Sequence, residues 1–415
     1  MRELDVWWDG RVAGRLTQDR SGDLGFSYSA EWLAGNGLAL SVSLPKRAEP
    51  FSRRECRPFF GGLLPDEGQR DAAAQALGVS PANDFALLDR LGGDVAGALQ
   101  LLPPGALPQN EAVGAQPKPL DENELVRVLD ALPMRPLLAG EAGMRLSLAG
   151  AQSKVPVVLV DGAIALPMPG QPTTHILKPS IPRFPSATEN EAFVMRLAAA
   201  IGLDAAPVEP RAIRGRTFLL VTRYDRARTA DGIRRVHQED FCQALGVPPE
   251  TKYASEGGPG FKDCFALLRR VSARPAEDVL KLLDAAIFNL IVGNADAHGK
   301  NFSILYDAEG PRLAPLYDLL STAAWPELSL RMAMRMGGRA RLEEMDEKGW
   351  SGFAADAGLG VGLVRGRAVE LSKRAVAHAD SAAAILQHSE LDGAAVRQIL
   401  SRTIERSTRI FEHEE

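Results

Sequence analysis

Three side chains near residue 300 have the types and the spacing of a phosphoryl-transfer site. Asp296 lies in the segment Asn-Ala-Asp-Ala-His-Gly-Lys-Asn (294–301), Asn301 stands five positions later, and Asp318 follows in Leu-Tyr-Asp-Leu-Leu-Ser (316–321). Phosphoryl transfer needs a carboxylate near the acceptor hydroxyl, together with an amide oxygen and a second carboxylate that hold Mg²⁺. The catalytic Asp and the metal-binding Asn of protein kinases stand at the same offset. This loop therefore predicts a reaction class.

The segments on either side of the loop are predicted to hold it rigidly. An apolar helix is expected over residues 279–293, and two short strands joined by a turn are expected at 302–306 and 312–317. Asn, Asp and Gly also cluster in ordinary turns, so the loop alone would more often be a turn than an active site. Its place between a core helix and a hairpin favours chemistry.

Upstream segments supply the other parts of a kinase in the expected order. Residues 145–160 predict a strand, a tight loop and a second strand, and the small residues at 149–151 would let backbone N–H groups approach phosphate oxygens, although a plain hairpin turn also fits. Lys178, on a short strand, is a candidate phosphate ligand, and Glu191 is a candidate ion-pair partner for it. Residues 217–226 predict a buried strand where a kinase joins its lobes. Together these pieces predict an α+β, bilobal protein-kinase-like fold.

Length and composition exclude several classes of protein. The chain has 415 residues, 45% of them hydrophobic, which allows two or three domains with sizeable cores. No signal sequence or bilayer-spanning run is evident, so we expect a cytoplasmic protein without a membrane partner. Cys56, Cys242 and Cys264 are far apart and form no C-x-x-C pair, so neither a zinc site nor a disulfide framework is indicated. A net charge of −5 argues against a broad nucleic-acid-binding face of its own.

The organisation of the chain is predicted from turns, prolines and periodicity. A hairpin over residues 4–16, with Asp9-Gly10 at its turn, opens an N-terminal region of strands and helices. Apolar residues at helical spacing predict a helix over 59–77, and a strand is expected over 95–102. A stretch with five prolines, 103–119, is the best candidate linker, and Asp121 with Glu124 predicts a capping box for the next helix. The predicted divisions are an N-terminal subdomain (1–102), a Pro-rich linker (103–120), the remainder of the N-lobe (121–225) and a helical C-terminal lobe (226–415). Apolar periodicity predicts two helices near the end of that lobe, over 368–379 and 393–411.

Further motifs along the chain match one family. They are Phe60-Gly-Gly-Leu-Leu-Pro-Asp66, Gly92-Gly-Asp-Val-Ala-Gly-Ala98, Ser147-Leu-Ala-Gly-Ala-Gln-Ser-Lys154, His175-Ile-Leu-Lys178, Arg223-Tyr-Asp-Arg226, Gln238-Glu-Asp-Phe-Cys-Gln243, Lys252-Tyr253 with Gly257-Gly-Pro-Gly260, the loop that ends at Asn301, and Tyr317-Asp318. With these motifs the chain resembles, over nearly its whole length, the HipA family of bacterial toxin kinases.

The resemblance implies roles for individual residues. Asp296 would be the catalytic base, and Asn301 and Asp318 would hold the metal. Contacts to the ATP phosphates would come from Ala149, Gly150, Ala151, Gln152, Ser153, Lys154 and Lys178. The hinge would be formed by Thr222, Arg223 and Tyr224, and the nucleotide pocket would be completed by His298, Gly299, Lys300, Asn301 and Tyr317.

The resemblance also implies a substrate, a partner and a means of control. The chain would be a serine/threonine protein kinase of a type II toxin–antitoxin system that uses ATP and Mg²⁺ and phosphorylates a cellular protein, in known cases an aminoacyl-tRNA synthetase, to arrest translation and growth. A HipB-like helix-turn-helix antitoxin would neutralise it and make most of the contact with operator DNA. Ser147 matches the serine that the family autophosphorylates, and a phosphate there would displace the neighbouring loop and inactivate the kinase.

Two other functions stay open at this stage. A small-molecule kinase of the aminoglycoside-phosphotransferase kind would use Asp, Asn and Asp at similar spacing, but would not need the N-terminal sheet or the serine. A non-catalytic co-repressor or scaffold for a DNA-binding partner is disfavoured because all three site residues are present. Asp318 is followed by Leu-Leu rather than Phe-Gly, and no Arg precedes Asp296, which argues against control by the usual activation-loop phosphosite.

Overall fold

The structure is a computed structural model that describes residues 1–108, 117–141, 144–230, 232–384 and 391–412. Residues 109–116 of the predicted linker lie outside the described residues. Within these ranges, none of the helices combines the length and the apolar character needed to cross a membrane.

The described chain contains both strands and helices, many of them in consecutive runs of one type. The strands are β1 (Arg2–Trp8), β2 (Arg11–Gln18), β3 (Leu24–Tyr28), β4 (Leu99–Leu102), β5 (Val155–Val160), β6 (Ala163–Ala165), β7 (His175–Pro179), β8 (Val208–Ile213), β9 (Arg216–Thr222), β10 (Arg226–Thr229), β11 (Gly232–Arg235), β12 (His237–Asp240), β13 (Ser303–Asp307), β14 (Gly310–Leu313), β15 (Arg331–Met336) and β16 (Arg339–Arg341). The α-helices are α1 (Ala30–Ala34), α2 (Arg53–Gly62), α3 (Glu67–Leu77), α4 (Asp84–Leu91), α5 (Glu122–Ala131), α6 (Ala187–Ala200), α7 (Phe241–Leu245), α8 (Phe261–Val271), α9 (Pro275–Val292), α10 (Glu347–Ala357), α11 (Val361–Ala384) and α12 (Gly393–Glu412).

The chain divides into two compact units. The first comprises Met1–Pro179, Thr222–Glu250 and Leu305–Asp307, and the second comprises Ser180–Val221, Thr251–Ile304 and Ala308–Glu415.

An antiparallel sheet in the order β3-β2-β1-β4 opens the first unit. The predicted hairpin is confirmed: Asp9 and Gly10 both have positive φ, 46° and 72°, as a two-residue hairpin turn requires. Phe26 of β3 packs against Phe60 of α2, with ring centroids 5.2 Å apart, and both side chains are buried. A second set of antiparallel strands, β6-β5-β7, lies in the same unit.

Several predicted elements differ from the structure, among them the strand predicted over 312–317, of which only residues 312 and 313 lie in β14. The helix predicted over 59–77 is divided, because Pro65 cannot donate the backbone hydrogen bond that a continuous helix needs, and Asp66 caps a new helix. Only the second half of the strand predicted over 95–102 forms β4, since Gly97 turns the chain with φ +87°. The strand predicted before the loop at 149–151 is reduced to an isolated bridge between Asp94 and Leu146.

The second unit is mainly helical. Helix α9 is buried along most of its length and ends at Gly293, which adopts φ +75° and caps the helix in the left-handed conformation. This helix confirms the one predicted over 279–293 and delivers the chain to residues 294–301. Helices α11 and α12 account for the two C-terminal helices predicted from periodicity.

Candidate active site

The loop that carries Asp296 is held by hydrogen bonds on both sides of that residue. Asp296 N–H donates to Asn294 Oδ1 at 3.1 Å, and Asn294 itself is buried. The preceding residue, Ala295, donates its N–H to Thr322 Oγ1 at 2.8 Å and accepts a hydrogen bond from Ala333 N–H of β15 at 2.7 Å. Because its backbone is fixed, the loop presents the exposed Asp296 side chain from a rigid support.

Asn301 and Asp318 lie side by side in this unit. Asn301 Nδ2 donates to Asp318 Oδ2 at 3.1 Å, and Asn301 Oδ1 accepts from His298 N–H at 3.0 Å. Asp318 has φ +58°, a left-handed conformation that non-glycine residues seldom adopt. The amide and the carboxylate of this pair are hard oxygen ligands of the kind that Mg²⁺ prefers.

Tyr317 fixes the short helical turn that ends at Asn301. Its hydroxyl donates to Lys300 O at 2.7 Å and is 2.7 Å from Ser303 Oγ. His298 and Lys300 are both buried, with 7% of each residue exposed. The second unit therefore contains seven of the predicted residues: Asp296, His298, Gly299, Lys300, Asn301, Tyr317 and Asp318.

The predicted phosphate-binding loop lies in the first unit and closes on itself. Lys154 Nζ donates to Ala149 O at 2.7 Å. Gly150 has φ +114°, and a Cβ added at this position would lie 2.5 Å from Lys154 Nζ. Gly150 O accepts from Asp66 N–H at 3.2 Å, and Ser153 Oγ donates to Gln69 Oε1 at 3.1 Å. The loop thus combines a cation with a backbone that approaches it closely.

Ser147 is buried beside this loop. None of its surface is exposed, its Oγ donates to Leu63 O at 2.6 Å, and its N–H donates to Asp94 O at 2.9 Å. A kinase can reach this hydroxyl only after the segment has left its place.

Arg223 of the predicted hinge belongs to a buried ionic cluster. Its guanidinium makes hydrogen bonds of 2.9 and 2.7 Å to the Asp225 carboxylate and one of 2.9 Å to Thr173 Oγ1. Since only 4% of Arg223 is exposed, a contact between this residue and a nucleotide would have to come from its backbone. Its backbone N–H donates to Thr174 O at 3.0 Å.

Asp94 is the common acceptor of this cluster. Arg226 Nη2 and Arg235 Nε each lie 2.9 Å from Asp94 Oδ1, and Thr173 Oγ1 donates to Oδ2 at 2.7 Å. Burial alone would raise the pKa of Asp94, but the guanidinium groups of Arg226, Arg223 and Arg235 hold it well below its ordinary value. The aspartate is therefore ionised within the core.

The remaining predicted residues are placed as follows. Lys178 lies in β7 of the first unit with 6% of its surface exposed, and Gln152 Nε2 donates to Pro179 O at 3.5 Å. Glu191 is buried in α6 of the second unit, and its pairing with Lys178 stays a prediction.

Sequence reasoning gave no role to several residues that hold these groups in place. Asn294 and Thr322 fix the loop backbone, Tyr253 donates to Asp296 Oδ1 at 3.1 Å, and Asp94 gathers the arginines. The motifs that contain Tyr253 and Asp94 were visible, but their partners are distant in the sequence. The sequence could have indicated a role for Asn294, because this residue begins the segment 294–301, which is rich in potential ligands.

Comparison with known proteins identifies relatives over most of the chain. Residues 4–102 match the family model described as the HipA N-terminal domain, and residues 146–386 match the HipA-like C-terminal domain. The chain is 73% identical over 380 residues to the protein named putative kinase Y4mE of Sinorhizobium fredii, covering 89% of each chain. It is 31% identical over 347 residues to the serine/threonine-protein kinase toxin HipA of Shewanella oneidensis, covering 80% of this chain and 78% of that protein.

A solved structure has the same fold. HipA of Shewanella oneidensis, determined in complex with HipB and its operator DNA, superposes with a TM-score of 0.86 at 27% identity, covering 98% of this chain and 97% of that one. The match confirms the predicted α+β class. Since a family model covers more than half of the chain and a named HipA toxin is 31% identical over most of it, this kinase belongs to the HipA family of serine/threonine-protein kinase toxins.

Proposed function

We propose that this chain transfers the γ-phosphate of ATP, with Mg²⁺, to a serine or threonine of a cellular protein and so arrests growth. The observation that carries the proposal is the pairing of Asn301 with Asp318 at 3.1 Å in the same unit as the fixed loop of Asp296. Phosphoryl transfer depends mainly on positioning and electrostatic stabilisation, and these rigidly held groups are suited to that task.

Each residue has a distinct proposed role. Asp296 would take the proton from the acceptor hydroxyl, because its carboxylate is exposed and hydrogen bonds hold the backbone of its loop. Asn301 and Asp318 would hold Mg²⁺, which when bound neutralises charge on the phosphates. In the described residues no group of three or more His, Cys, Asp or Glu side chains is placed to hold a metal, so the remaining ligands would be water and phosphate oxygens.

The nucleotide-binding roles are proposed for residues of both units. In the first unit, Lys154, Lys178 and the backbone of residues 149–153 would contact phosphates, and residues 222–224 would form the hinge. In the second unit, residues 298–301 and Tyr317 would contact the nucleotide. Support comes from the buried position of Lys178 and from the cation held over Gly150.

Self-inactivation through Ser147 is part of the proposal. The hydroxyl has no exposed surface, so phosphorylation would require the bonds to Leu63 O and Asp94 O to open first. A phosphate carries nearly two negative charges and cannot return to a site whose neighbour is a carbonyl oxygen. The modified segment would stay out, and the adjacent loop would be displaced with it.

The proposed partner is a HipB-like helix-turn-helix antitoxin. The solved HipA structure that superposes on 98% of this chain contains HipB and operator DNA. The net charge of −5 on the present chain supports the view that the antitoxin makes most of the DNA contact. The proposed substrate, an aminoacyl-tRNA synthetase, follows from the family resemblance.

A labelling experiment tests the proposal. Full-length protein, first treated with phosphatase, is incubated with Mg²⁺ and γ-labelled ATP in a lysate fractionated by size, beside Asp296→Asn. We expect label on protein and on the Ser147 peptide, with the rate lowered about 10²- to 10⁴-fold in the variant. Label that appears only on small molecules would replace the protein kinase with a metabolite kinase, and absence of label in both proteins would refute catalysis.

A further inference from the structure

We infer that Tyr253 is a positioning residue for the catalytic base Asp296, a role that rests on the function proposed above. The phenol O–H donates to Asp296 Oδ1 at 3.1 Å. The Tyr253 side chain is half-buried and Asp296 is exposed, so the phenol supplies a donor from a more enclosed position to a carboxylate that faces solvent. A carboxylate has about four lone-pair positions, so one bond from tyrosine leaves acceptor capacity for the substrate hydroxyl.

The turn that carries Tyr253 is built around this residue. Gly257 has φ +96°, and a Cβ on Gly258 would lie 2.3 Å from Thr251 O, so both positions need glycine. The N–H groups of Glu256 and Gly258 each donate to Tyr253 O at 2.9 Å. The roles in phosphoryl transfer do not explain the pair Gly257 and Gly258. The need to hold Tyr253 in one fixed direction explains it.

The aromatic ring makes a second contact with the catalytic loop. The rings of Tyr253 and His298 pack in an edge-to-face arrangement, with centroids 5.5 Å apart and planes at 74°. Lys252 Nζ lies 5.3 Å from the Tyr253 ring centroid. His298 stands two positions after Asp296 in the same loop. Hydroxyl and ring therefore hold the loop at two points with a side chain that has only two rotatable χ angles.

Positioning of this kind affects rate rather than nucleotide affinity. A general base acts only when its oxygen lies within hydrogen-bond reach of the acceptor proton. Tyr253 contacts the base and the loop, while the groups proposed to hold Mg²⁺ are Asn301 and Asp318. Loss of the phenol hydroxyl should reduce the fraction of molecules with a correctly directed carboxylate and leave ATP binding intact.

The test compares Tyr253→Phe with Tyr28→Phe in the full-length, phosphatase-treated protein. Phenylalanine keeps the ring on His298 and removes only the hydroxyl. Tyr28 is a matched control, because its buried hydroxyl bonds the backbone of Leu40 at 2.8 Å in the N-terminal sheet. Transfer of label from ATP to the protein itself, and to casein as a generic acceptor, is followed over a range of ATP concentrations with Mg²⁺.

We expect Tyr253→Phe to lower the maximal rate about tenfold, with the half-saturating ATP concentration unchanged within about twofold. Its melting temperature should match that of the unmutated protein, whereas Tyr28→Phe should lower the melting temperature and keep the rate. In an Asp296→Asn background, Tyr253→Phe should have no further effect, because the base on which it acts is gone.

Three results would overturn the role of Tyr253. A maximal rate within about twofold of the unmutated protein, an effect confined to ATP half-saturation, or an equal loss in the Asp296→Asn background would each do so. Failure of the proposed function is a separate outcome, in which the unmutated protein itself transfers no label. In that case the role of Tyr253 is refuted as well.

Discussion

A buried carboxyl in the first unit makes a quantitative prediction about stability and pH. Glu239 has 1% of its surface exposed, and its carboxylate accepts hydrogen bonds from Ser41 Oγ, Tyr306 OH and, at 3.0 Å, Val42 N–H. Burial raises the pKa of Glu239 from its ordinary value near 4.5 to about 7, and the three donors offset only part of that rise. Glu239→Gln removes the titration and keeps the shape.

The sign follows from proton linkage. Because the pKa of Glu239 is higher in the folded protein, the folded state holds this proton more tightly than the unfolded state does. Its contribution to stability is complete below pH 4.5 and is lost as the pH rises through 7. The loss is about 1.4 kcal/mol per pH unit across that window, or about 3 kcal/mol in total.

A difference measurement isolates this carboxyl from other titrating groups. The neighbouring His237 has the opposite effect, since burial lowers its pKa from 6.5 to about 4 and stability falls with decreasing pH through that range. In the unmutated protein, the changes of unfolding free energy with pH that come from Glu239 and from His237 nearly cancel. The free energy of unfolding of Glu239→Gln minus that of the unmutated protein removes the His237 contribution, and it should rise by about 3 kcal/mol between pH 4.5 and 8.

Urea unfolding at several pH values, followed by tryptophan fluorescence, is a suitable assay. The Trp8 ring centroid lies 4.2 Å from that of His237, so its emission reports on this core. Glu31→Gln, an exposed glutamate in the same unit, controls for the loss of a negative charge. If the difference in unfolding free energy does not change with pH, the raised pKa of Glu239 is refuted. A difference that falls as the pH rises would mean that the three hydrogen-bond donors outweigh the effect of burial.

Two further substitutions test the first unit. Asp94→Ala removes one of the two buried carboxylates that pair with Arg226, so that Arg223 and Arg226 must share Asp225, and it should cost about 3 to 5 kcal/mol of unfolding free energy in urea. Asp23→Ala, which breaks an exposed 3.3 Å pair with Arg53, should cost under about 1 kcal/mol, and equal costs would contradict the cluster's role. Gly150→Ala should weaken binding of a fluorescent ATP analogue at least about tenfold, because an added Cβ 2.5 Å from Lys154 Nζ would push this flexible ammonium out of the loop and because φ +114° strains alanine. Gly162→Ala, which is strained at φ +82° but has open space around it, should leave binding intact, and intact binding by Gly150→Ala would argue against nucleotide contact by this loop.

Features that depend on neighbours in the sequence were predictable. The hairpin at Asp9-Gly10 and the capping box of Asp121 with Glu124 both appear in the structure. Each is set by backbone preferences within a few residues, which a single sequence records directly. The offset between Asp296 and Asn301 is of the same local kind, and this is why the loop indicated a reaction class before any fold was known.

Features that depend on distant partners were not predictable. Tyr253 and Asp296 are 43 residues apart, and Asp94 and Arg235 are 141 residues apart. A single sequence does not state which aspartate will meet which arginine, because scattered arginines usually remain solvated. The predicted division into four segments likewise stays a prediction, since a boundary in sequence fixes neither contacts nor compactness.

Asp318 shows how local preference and function diverge at one position. Its φ of +58° would suit glycine, and a side chain there costs about 1 to 2 kcal/mol. Aspartate is among the residues that tolerate this conformation best, but glycine would bring no carboxylate to Asn301 Nδ2 at 3.1 Å. The neighbouring Tyr317, bonded to Lys300 O, ties this segment to the turn that ends at Asn301. The metal-ligand role proposed for Asp318 would require a carboxylate at this point in spite of the conformational cost.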